Sequence, residues 1–424
     1  MQDKFEKLFY TFRPEENDWG PWTNSPQAFL HGEADLADAA LYTGFQIINA
    51  PVQMETEPIY HREAEDLVFL GAVLPDVFSS FDAEIHFFMG RTPETMEKVV
   101  ITEPTVVRVP KGWWHCPLRF VRVDKPLLFQ AVLFAGRPGA VRKVQGPAGP
   151  ELRYSEAETH RRACAEIPGA PGSVPWRVVN EDGVRSYTDA GAYDPAKAPS
   201  SLDTVIRPGY RSRAYSDAAA LRAPKPPLTP ETERCVLALP REETKWGAWC
   251  PSPQAYFRGD IYMEDADYNV GWQIFTAAND MEEPHFHQGA DEYIFFMGAD
   301  PKNIFDFDAE IEIFIGDDPD HMDSRMITEP TVVRLPPTVW HCPIRFRRMK
   351  KPLLFQAAFL HGTWGTITRA DAAPGTDKGF FDRTYTYSYM GDNVRFCRRD
   401  PTKRCNVCGA CFPNVEIRED APEQ

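Results

Sequence analysis

Short hydrophobic runs rich in β-branched and aromatic residues recur along most of the chain and predict β-strands. Examples are the runs TVVRL at 331–335, IRF at 344–346 and PLLFQAAF at 352–359, and clusters of Pro, Gly and Asp separate such runs. The 39 prolines and the 12% aromatic content also favour strands and turns over long helices. Several short strands within about 130 residues predict an all-β fold of jelly-roll or small-barrel type.

The same pattern occurs twice, because the chain contains an internal duplication. The segment ITEPTVVR at 101–108 returns unchanged at 327–334, and KPLLFQA at 125–131 returns at 351–357. Further matches keep an offset of 226 or 227 residues: WG at 19 and 246, SPQA at 25 and 252, and FDAEI at 81 and 307. A repeat of this size indicates a duplicated domain and not a solenoid unit.

The segment between the repeats is rich in Pro, Gly, Ala and charge and predicts a long irregular connector. One helix is predicted over 155–167, with Ser155 as its N-cap, and the remainder wraps the barrels, forms a lid or subunit contact, or is disordered. We therefore predict an N-terminal repeat at 1–137, a connector at 138–230, a C-terminal repeat at 231–370 and a tail at 371–424.

Charge and hydropathy limit the partners of the chain. The net charge of −16 argues against a nucleic-acid groove or an anionic membrane surface. The chain contains no run of 18 apolar residues, and its first residues lack an apolar secretory core. We expect a cytoplasmic protein that binds a small molecule and no nucleic acid or membrane. Barrel edges favour a homo-oligomer.

The strongest candidate chemistry lies in the second repeat. His285 and His287 stand two residues apart, Glu292 follows, and His341 comes from a later segment. Residues i and i+2 of a strand point to the same face, so the first two imidazoles project together. Three imidazoles and one carboxylate suit a divalent transition metal, with Fe, Mn, Ni, Cu and Zn all open.

The pattern His-x-His-x4-Glu, followed by Pro336 and His341, resembles the two sequence motifs of the cupin superfamily. Thr338 replaces the glycine that is usual in the second motif, whereas Lys111-Gly112 in the first repeat is closer to it. The resemblance covers both repeats, about 260 of 424 residues. It implies a bicupin, with two tandem double-stranded β-helix barrels and a metal in the second barrel. It does not define the reaction, because cupins include dioxygenases, decarboxylases, isomerases, lyases and storage proteins.

The first repeat carries a reduced ligand set. Subtracting 226 from the four ligand positions gives Ile59, His61, Asp66 and His115. One imidazole is lost and the carboxylate is shorter by a methylene. Two histidines and one aspartate can in principle form a facial triad for Fe(II). The alternative is a scaffold barrel that has lost its site.

Three residues of the second barrel are candidates for catalytic roles. Glu292 can leave the metal and act as a base. Strand alternation from His341 predicts that Arg345 faces the site, where its guanidinium can bind an anion. Gln356 interrupts an apolar run and needs a hydrogen-bond partner, which substrate or a metal-bound water can supply. Arg119 and Gln130 occupy the matching positions of the first repeat, and this retention favours structural roles, with a salt bridge at the rim as the alternative for Arg345. Cys116 and Cys342 are predicted to point away from the metal and to pack.

The tail contains a second constellation of possible ligands. Cys397, Cys405, Cys408 and Cys411 lie within fifteen residues. In a chain without a secretion signal such a cluster is more often metal-bound than disulfide-bonded. Four thiolates suit Zn²⁺ or Fe, and the Cys-x2-Cys spacing also resembles part of an iron–sulfur motif. Free thiols are the remaining alternative.

Three functions are compatible with these residues. The first is an Fe²⁺ dioxygenase that acts on a small catecholic, enolic or dicarbonyl substrate chelated at the metal of the second barrel. The second is a redox-neutral Mn²⁺, Zn²⁺ or Ni²⁺ enzyme, such as a decarboxylase, C–C hydrolase or isomerase, in which the metal stabilises an enolate. The third is a non-catalytic ligand-binding bicupin. We favour the dioxygenase.

Overall fold

The computed structural model describes most of both repeats. Side chains are described within 4–15, 27–55, 57–72, 76–155, 225–242, 247–259, 262–263, 266, 268–281, 284–287, 290–300 and 303–360. Only the backbone is described for residue 156, for 260–261 and for the strands at 175–179, 184–192, 365–369, 385–389, 396–397 and 400–404. The regular secondary structure of the described residues is mostly β-strand, as the sequence predicts.

The strands of the first repeat, in chain order, are β1 (Phe9–Thr11), β2 (Ala28–His31), β3 (Tyr42–Ile48), β4 (Val52–Met54), β5 (Ile59–His61), β6 (Glu65–Gly71), β7 (Ala83–Gly90), β8 (Glu97–Ile101), β9 (Thr105–Val109), β10 (Trp114–Val123) and β11 (Leu127–Leu133). The connector adds β12 (Gly139–Gly146), β13 (Gly149–Glu156), β14 (Pro175–Val179) and β15 (Val184–Ala192). The prediction of a helix that begins at Ser155 is wrong for its first residue, because Ser155 lies in β13 and pairs with Ala140. Its remainder, 157–167, lies outside the described residues.

The strands of the second repeat are β16 (Val236–Ala238), β17 (Ala255–Arg258), β18 (Asn269–Phe275), β19 (Asn279–Met281), β20 (His285–His287), β21 (Glu292–Gly298), β22 (Ala309–Asp318), β23 (His321–Ile327), β24 (Thr331–Leu335), β25 (Trp340–Met349), β26 (Leu353–Phe359) and β27 (Gly365–Arg369). The tail contributes β28 (Tyr385–Tyr389), β29 (Phe396–Cys397) and β30 (Asp400–Arg404). The helical segments are short: α1 (Pro230–Glu233), α2 (Gly259–Tyr262) and the 3₁₀ turns Glu6–Leu8, Gly32–Ala34 and Pro93–Thr95.

Each repeat forms a barrel of two facing sheets. In the first barrel one sheet has the order β16-β9-β6-β11-β3-β2, and the other is built around β12-β5-β10-β4 with β7 and β8. The second barrel repeats this plan, with β1-β24-β21-β26-β18-β17 facing β23-β22-β25-β20-β27-β28. This is the double jelly-roll architecture of a bicupin.

The two six-stranded sheets are buried on both faces. In β21, Ile294 and Phe296 point into the second barrel, whereas Phe295 and Met297 join a separate cluster shared by the two barrels. Leu128 of the first barrel packs in that same shared cluster. Three apolar layers therefore stack across the molecule, one inside each barrel and one between them. The outer strands instead alternate buried and part-exposed residues, as in β7 and β22.

The barrels complete one another by a reciprocal exchange of edge strands. β1 precedes the first barrel but pairs with β24 of the second, with Tyr10 opposite Val332. β16 precedes the second barrel but pairs with β9 of the first, with Leu237 opposite Val106. The exchange extends into the cores, because Leu8 packs inside the second barrel. The domain boundaries derived from sequence remain a prediction, and these edge strands cross between the two units.

Candidate metal centre

Two strands of the second barrel bring three histidines together. His285 and His287 of β20 are both buried while Phe286 between them is part-exposed, as alternation requires. β25 lies beside β20, with His341 directly opposite His285. The ring centroids of these two are 4.3 Å apart, and those of His287 and His341 are 5.1 Å apart. The three histidines are therefore neighbours, as the sequence predicts, and their binding of a metal stays a prediction. The ligand atoms fall into two overlapping groups, His287, Glu292 and His341, and His285, His341 and Cys342.

Glu292, the first residue of β21, brings the carboxylate to the same point. Its Oε2 lies 3.1 Å from His341 Nε2 and 3.3 Å from His287 Nε2. Burial by itself raises the pKa of Glu292, but the adjacent His287 and His341 outweigh burial and lower that pKa. Glu292 is therefore an anion at neutral pH.

The orientation of His341 fits a metal ligand. Its Nδ1 lies 3.0 Å from the carbonyl oxygen of Val339, so Nδ1 carries the proton and donates it. Nε2 then presents its lone pair towards Glu292. Within the described residues, His341 Nε2 and Glu292 Oε2 are buried atoms that make no hydrogen bond of acceptable geometry. A neutral His341 and Glu292 would be two buried acceptors at this distance, an arrangement that a shared proton or a metal ion satisfies. Imidazole nitrogens and a carboxylate together form a donor set that fits a divalent transition metal.

The first barrel carries a related cluster, but its carboxylate is not the one that the sequence predicts. Glu65 Oε2 lies 3.2 Å from His115 Nε2 and 3.7 Å from His61 Nε2. Asp66 is fully buried and contacts Arg108 instead, at 3.3 Å. Burial raises the pKa of Asp66 to about 6, although Arg108 opposes this shift. The assignment of Asp66 to this set is therefore wrong.

The backbone register explains this error. Glu65 pairs with Val109 and Glu292 pairs with Leu335, and these partners are equivalent positions of the two repeats. Glu65 is thus the counterpart of Glu292, at an offset of 227 instead of 226. One residue fewer separates the histidine from the carboxylate in the first repeat, and the mixture of both offsets in the sequence was the available signal.

Arg345 does not face the site. Its guanidinium lies 4.8 Å from the ring centroid of Phe314 and 3.8 Å from Glu312, and the side chain is 36% exposed. Cys342 has φ +70°, and the register of β25 against β22 shifts nearby, which breaks the alternation counted from His341. Ile344 and Phe346 take the inward positions instead. The prediction that Arg345 binds substrate is wrong. Arg345 instead forms an ion pair with Glu312 at the rim of the barrel.

Gln356 also lies away from the metal ligands. It alternates with Phe355, which points into the barrel, so its amide lies on the opposite face of β26, between the barrels. There its Nε2 donates to Gln130 Oε1 at 3.0 Å, and its Oε1 accepts from Gln130 Nε2 at 3.3 Å. Gln356 is fully buried in this pair. The prediction that Gln356 has a catalytic role is therefore wrong.

Both cysteines that follow the last histidine of each set lie closer to the site than the sequence predicts. The sulfur of Cys342 lies within 4.8 Å of ligand nitrogens of His285 and His341. Cys116 lines the cavity of the first barrel. Both have positive φ, 70° and 76°, which turns them inward. They remain core residues of their barrels, so the prediction of packing is right and the predicted direction is wrong.

The cysteines of the tail lie outside what the structure describes. Cys397 belongs to β29, for which the backbone alone is described, and Cys405, Cys408 and Cys411 fall beyond the described residues. Metal binding by this cluster stays a prediction. Among the described residues, no helix is long and apolar enough to cross a membrane.

Two jelly-roll barrels in tandem define the architecture of this chain, and each barrel carries a buried His/Glu cluster that could hold a metal ion. No protein-family model and no curated protein sequence matches it. Solved structures with a similar arrangement include oxalate decarboxylase from Bacillus subtilis at pH 4.6, with a TM-score of 0.45, 11% identity, and coverage of 84% of this chain and 76% of that one. Vicilin from Corylus avellana (hazelnut) is similar at a TM-score of 0.43 and 11% identity, with coverage of 84% and 85%. A likeness at this level leaves the chemistry to be inferred from the chain's own residues.

Proposed function

We propose that the protein is a metal-dependent enzyme whose reaction takes place at His285, His287, Glu292 and His341. The observation that carries this proposal is the approach of His341 Nε2 to Glu292 Oε2, two buried acceptors 3.1 Å apart. A core histidine kept only for packing would find a donor or a backbone acceptor for each nitrogen. Here one nitrogen has its backbone partner and the other is directed at a carboxylate.

In its finer form the proposal is an Fe²⁺ dioxygenase of a small catecholic, enolic or dicarbonyl compound. When bound, iron supplies Lewis acidity and redox chemistry with O2. If His285, His287, Glu292 and His341 all held the ion, the remaining positions would be open to a chelating substrate.

The protein's own groups have separable roles in this proposal. Val339 orients His341 through its carbonyl, and Glu292 supplies the negative charge and, when displaced, a base for the substrate proton. Phe359 packs against His287 at a centroid distance of 4.8 Å and excludes water from that side of the imidazole.

The test combines metal analysis with oxygen uptake. Anaerobically purified protein should contain iron that is lost in His341→Ala, and catechol or acetylacetone should be consumed together with O2. A second barrel that holds no transition metal would overturn the proposal altogether. Turnover of the same compounds without O2 would overturn only the finer form and favour a redox-neutral Mn²⁺, Zn²⁺ or Ni²⁺ enzyme.

We also propose that the tail cysteines Cys397, Cys405, Cys408 and Cys411 bind Zn²⁺ or Fe as a structural staple. Cys408→Ser should then lower the content of a second metal without abolishing turnover. Complete loss of turnover in a normally folded variant would instead make the tail a catalytic or electron-transfer element.

A further inference from the structure

The first barrel contains a cavity of about 300 Å³ that is partly open to solvent. His61, Glu65 and His115 form part of its wall, and Arg142 of β12 and Glu55 form another part. Most of the remaining lining is apolar, for example Leu118 and Phe129. This volume lies at the lower end of the range for small-molecule pockets, and a mainly apolar wall with a few polar groups is typical of them.

Arg142 lies at a position where the two barrels differ. In the second barrel His285 pairs with Thr368, and in the first barrel Ile59 pairs with Arg142. These are equivalent positions, at an offset of 226. The first barrel has thus lost an imidazole and gained a guanidinium on the neighbouring strand. Because Arg142 lines the cavity, this exchange replaces a metal ligand with a permanent positive charge.

The Arg142 guanidinium has N–H donors that its contact with Glu55 does not use. Glu55 Oε2 accepts from Arg142 Nη1 at 2.9 Å, and Glu55 Oε1 lies 3.4 Å from Nη2. A guanidinium carries five N–H donors in a planar fork, so this contact leaves several for a second anion. The Arg142 and Glu55 side chains are 30% and 26% exposed, which places the pair between the cavity and solvent.

We propose that the cavity of the first barrel binds a small carboxylic acid with an apolar body, whose carboxylate pairs with Arg142. The apolar body fills the space beside Leu118 and Phe129, and its far end lies against His61, Glu65 and His115. Arginine recognises carboxylates by two parallel hydrogen bonds, which gives the acid its orientation. Glu55 competes for the same guanidinium and keeps it ordered when no ligand is present. The site is distinct from the centre in the second barrel.

Binding of three monocarboxylates, benzoate, phenylacetate and hexanoate, to the full-length protein tests this proposal, with the matching neutral amides as controls. By calorimetry we expect at least one acid to bind at least tenfold more tightly than its amide. Arg142→Met should weaken the binding of that acid at least tenfold and leave the affinity for the amide unchanged. Arg142→Lys keeps the positive charge but lacks the planar pair of donors. Its affinity for the acid should lie between those of the unmodified protein and Arg142→Met. Glu55→Gln should increase the affinity for the acid, because it removes the carboxylate that competes for Arg142.

Two control variants locate the effect. Arg91→Met removes an exposed arginine of the first repeat that does not line the cavity and whose partner is Glu231, and it should leave binding unchanged. His341→Ala should also leave it unchanged, which separates this site from chelation by a metal in the second barrel. Equal affinity for acids and amides would overturn the proposal. So would acid binding that survives Arg142→Met or disappears in His341→Ala.

Discussion

Gln130 and Gln356 form a reciprocal amide pair at the centre of the molecule, each donating to the other across the interface between the barrels. They stand 226 residues apart, which is the offset of the duplication, so each residue contacts its own copy. Gln130 also accepts from Trp272 Nε1 at 2.9 Å and donates to Thr43 Oγ1 at 3.1 Å. The pair marks the pseudo-two-fold axis and belongs to the structure of the interface.

We predict unequal losses of stability when this pair is broken. Gln356→Met leaves Gln130 with two other partners, whereas Gln130→Met also removes the acceptor of Trp272 Nε1. Thr43 loses the donor Gln130 but keeps its own hydrogen bond to the Ala131 carbonyl. Unsatisfied buried groups cost about 1–3 kcal/mol each, so Gln130→Met should be the more destabilising in urea unfolding. The double variant should cost less than the sum of the single ones. Loss of bound metal at unchanged stability would contradict this structural role.

His287→Ala should remove most metal from the second barrel, because it deletes one of the three side chains, His287, Glu292 and His341, whose ligand atoms lie within 4.8 Å of one another. Metal content per chain, measured by mass spectrometry on gel-filtered protein, checks this. His321→Ala is the matched control, since His321 is 83% exposed and contacts only the neighbouring Asp318 within the described chain. Arg345→Gln should likewise retain metal, because its partner is Glu312 on the outer sheet. Equal loss from His287→Ala and His321→Ala would refute a site at His287.

Glu65→Gln and Asp66→Asn separate the two adjacent carboxylates of the first barrel. In a background that carries His287→Ala and His341→Ala, titration with Co²⁺ reports on the first barrel. Glu65→Gln should abolish any binding seen there, because Glu65 contacts His61 and His115. Asp66→Asn should leave it intact, since Asp66 faces Arg108. The opposite order of effects would restore Asp66 as the ligand.

The part of the site that lies within one strand and its neighbour could be predicted from sequence. Alternation placed His285 and His287 side by side, and the spacing from Pro336 to His341, which resembles the second cupin motif, located His341. The errors arose where the chain departs from regular spacing. A missing residue before β6 exchanged Asp66 for Glu65, and the positive φ of Cys342 moved Arg345 outward. The partner of Gln356 lies in the other repeat, so no local pattern could reveal it.

Leu8→Ala should destabilise the second barrel although Leu8 precedes the first. Leu8 is 5% exposed within the core of the second barrel, and such truncations cost about 2–5 kcal/mol. Hydrogen exchange should show loss of protection in β24, with β9 of the first barrel as the internal control. Loss confined to β9 would contradict the strand exchange.

The exchange of β1 and β16 has a consequence for how such a chain can arise. A single repeat on its own would leave one sheet edge open and would carry the strand that completes another copy. Two identical repeats would therefore complete each other as a symmetric dimer, by domain swapping. In such a dimer both sheets are complete only at sufficient protein concentration. A covalent connection makes the same pairing intramolecular, so both barrels stay closed at any dilution. The two halves are then free to diverge, as Ile59 and Arg142 have diverged from His285 and Thr368.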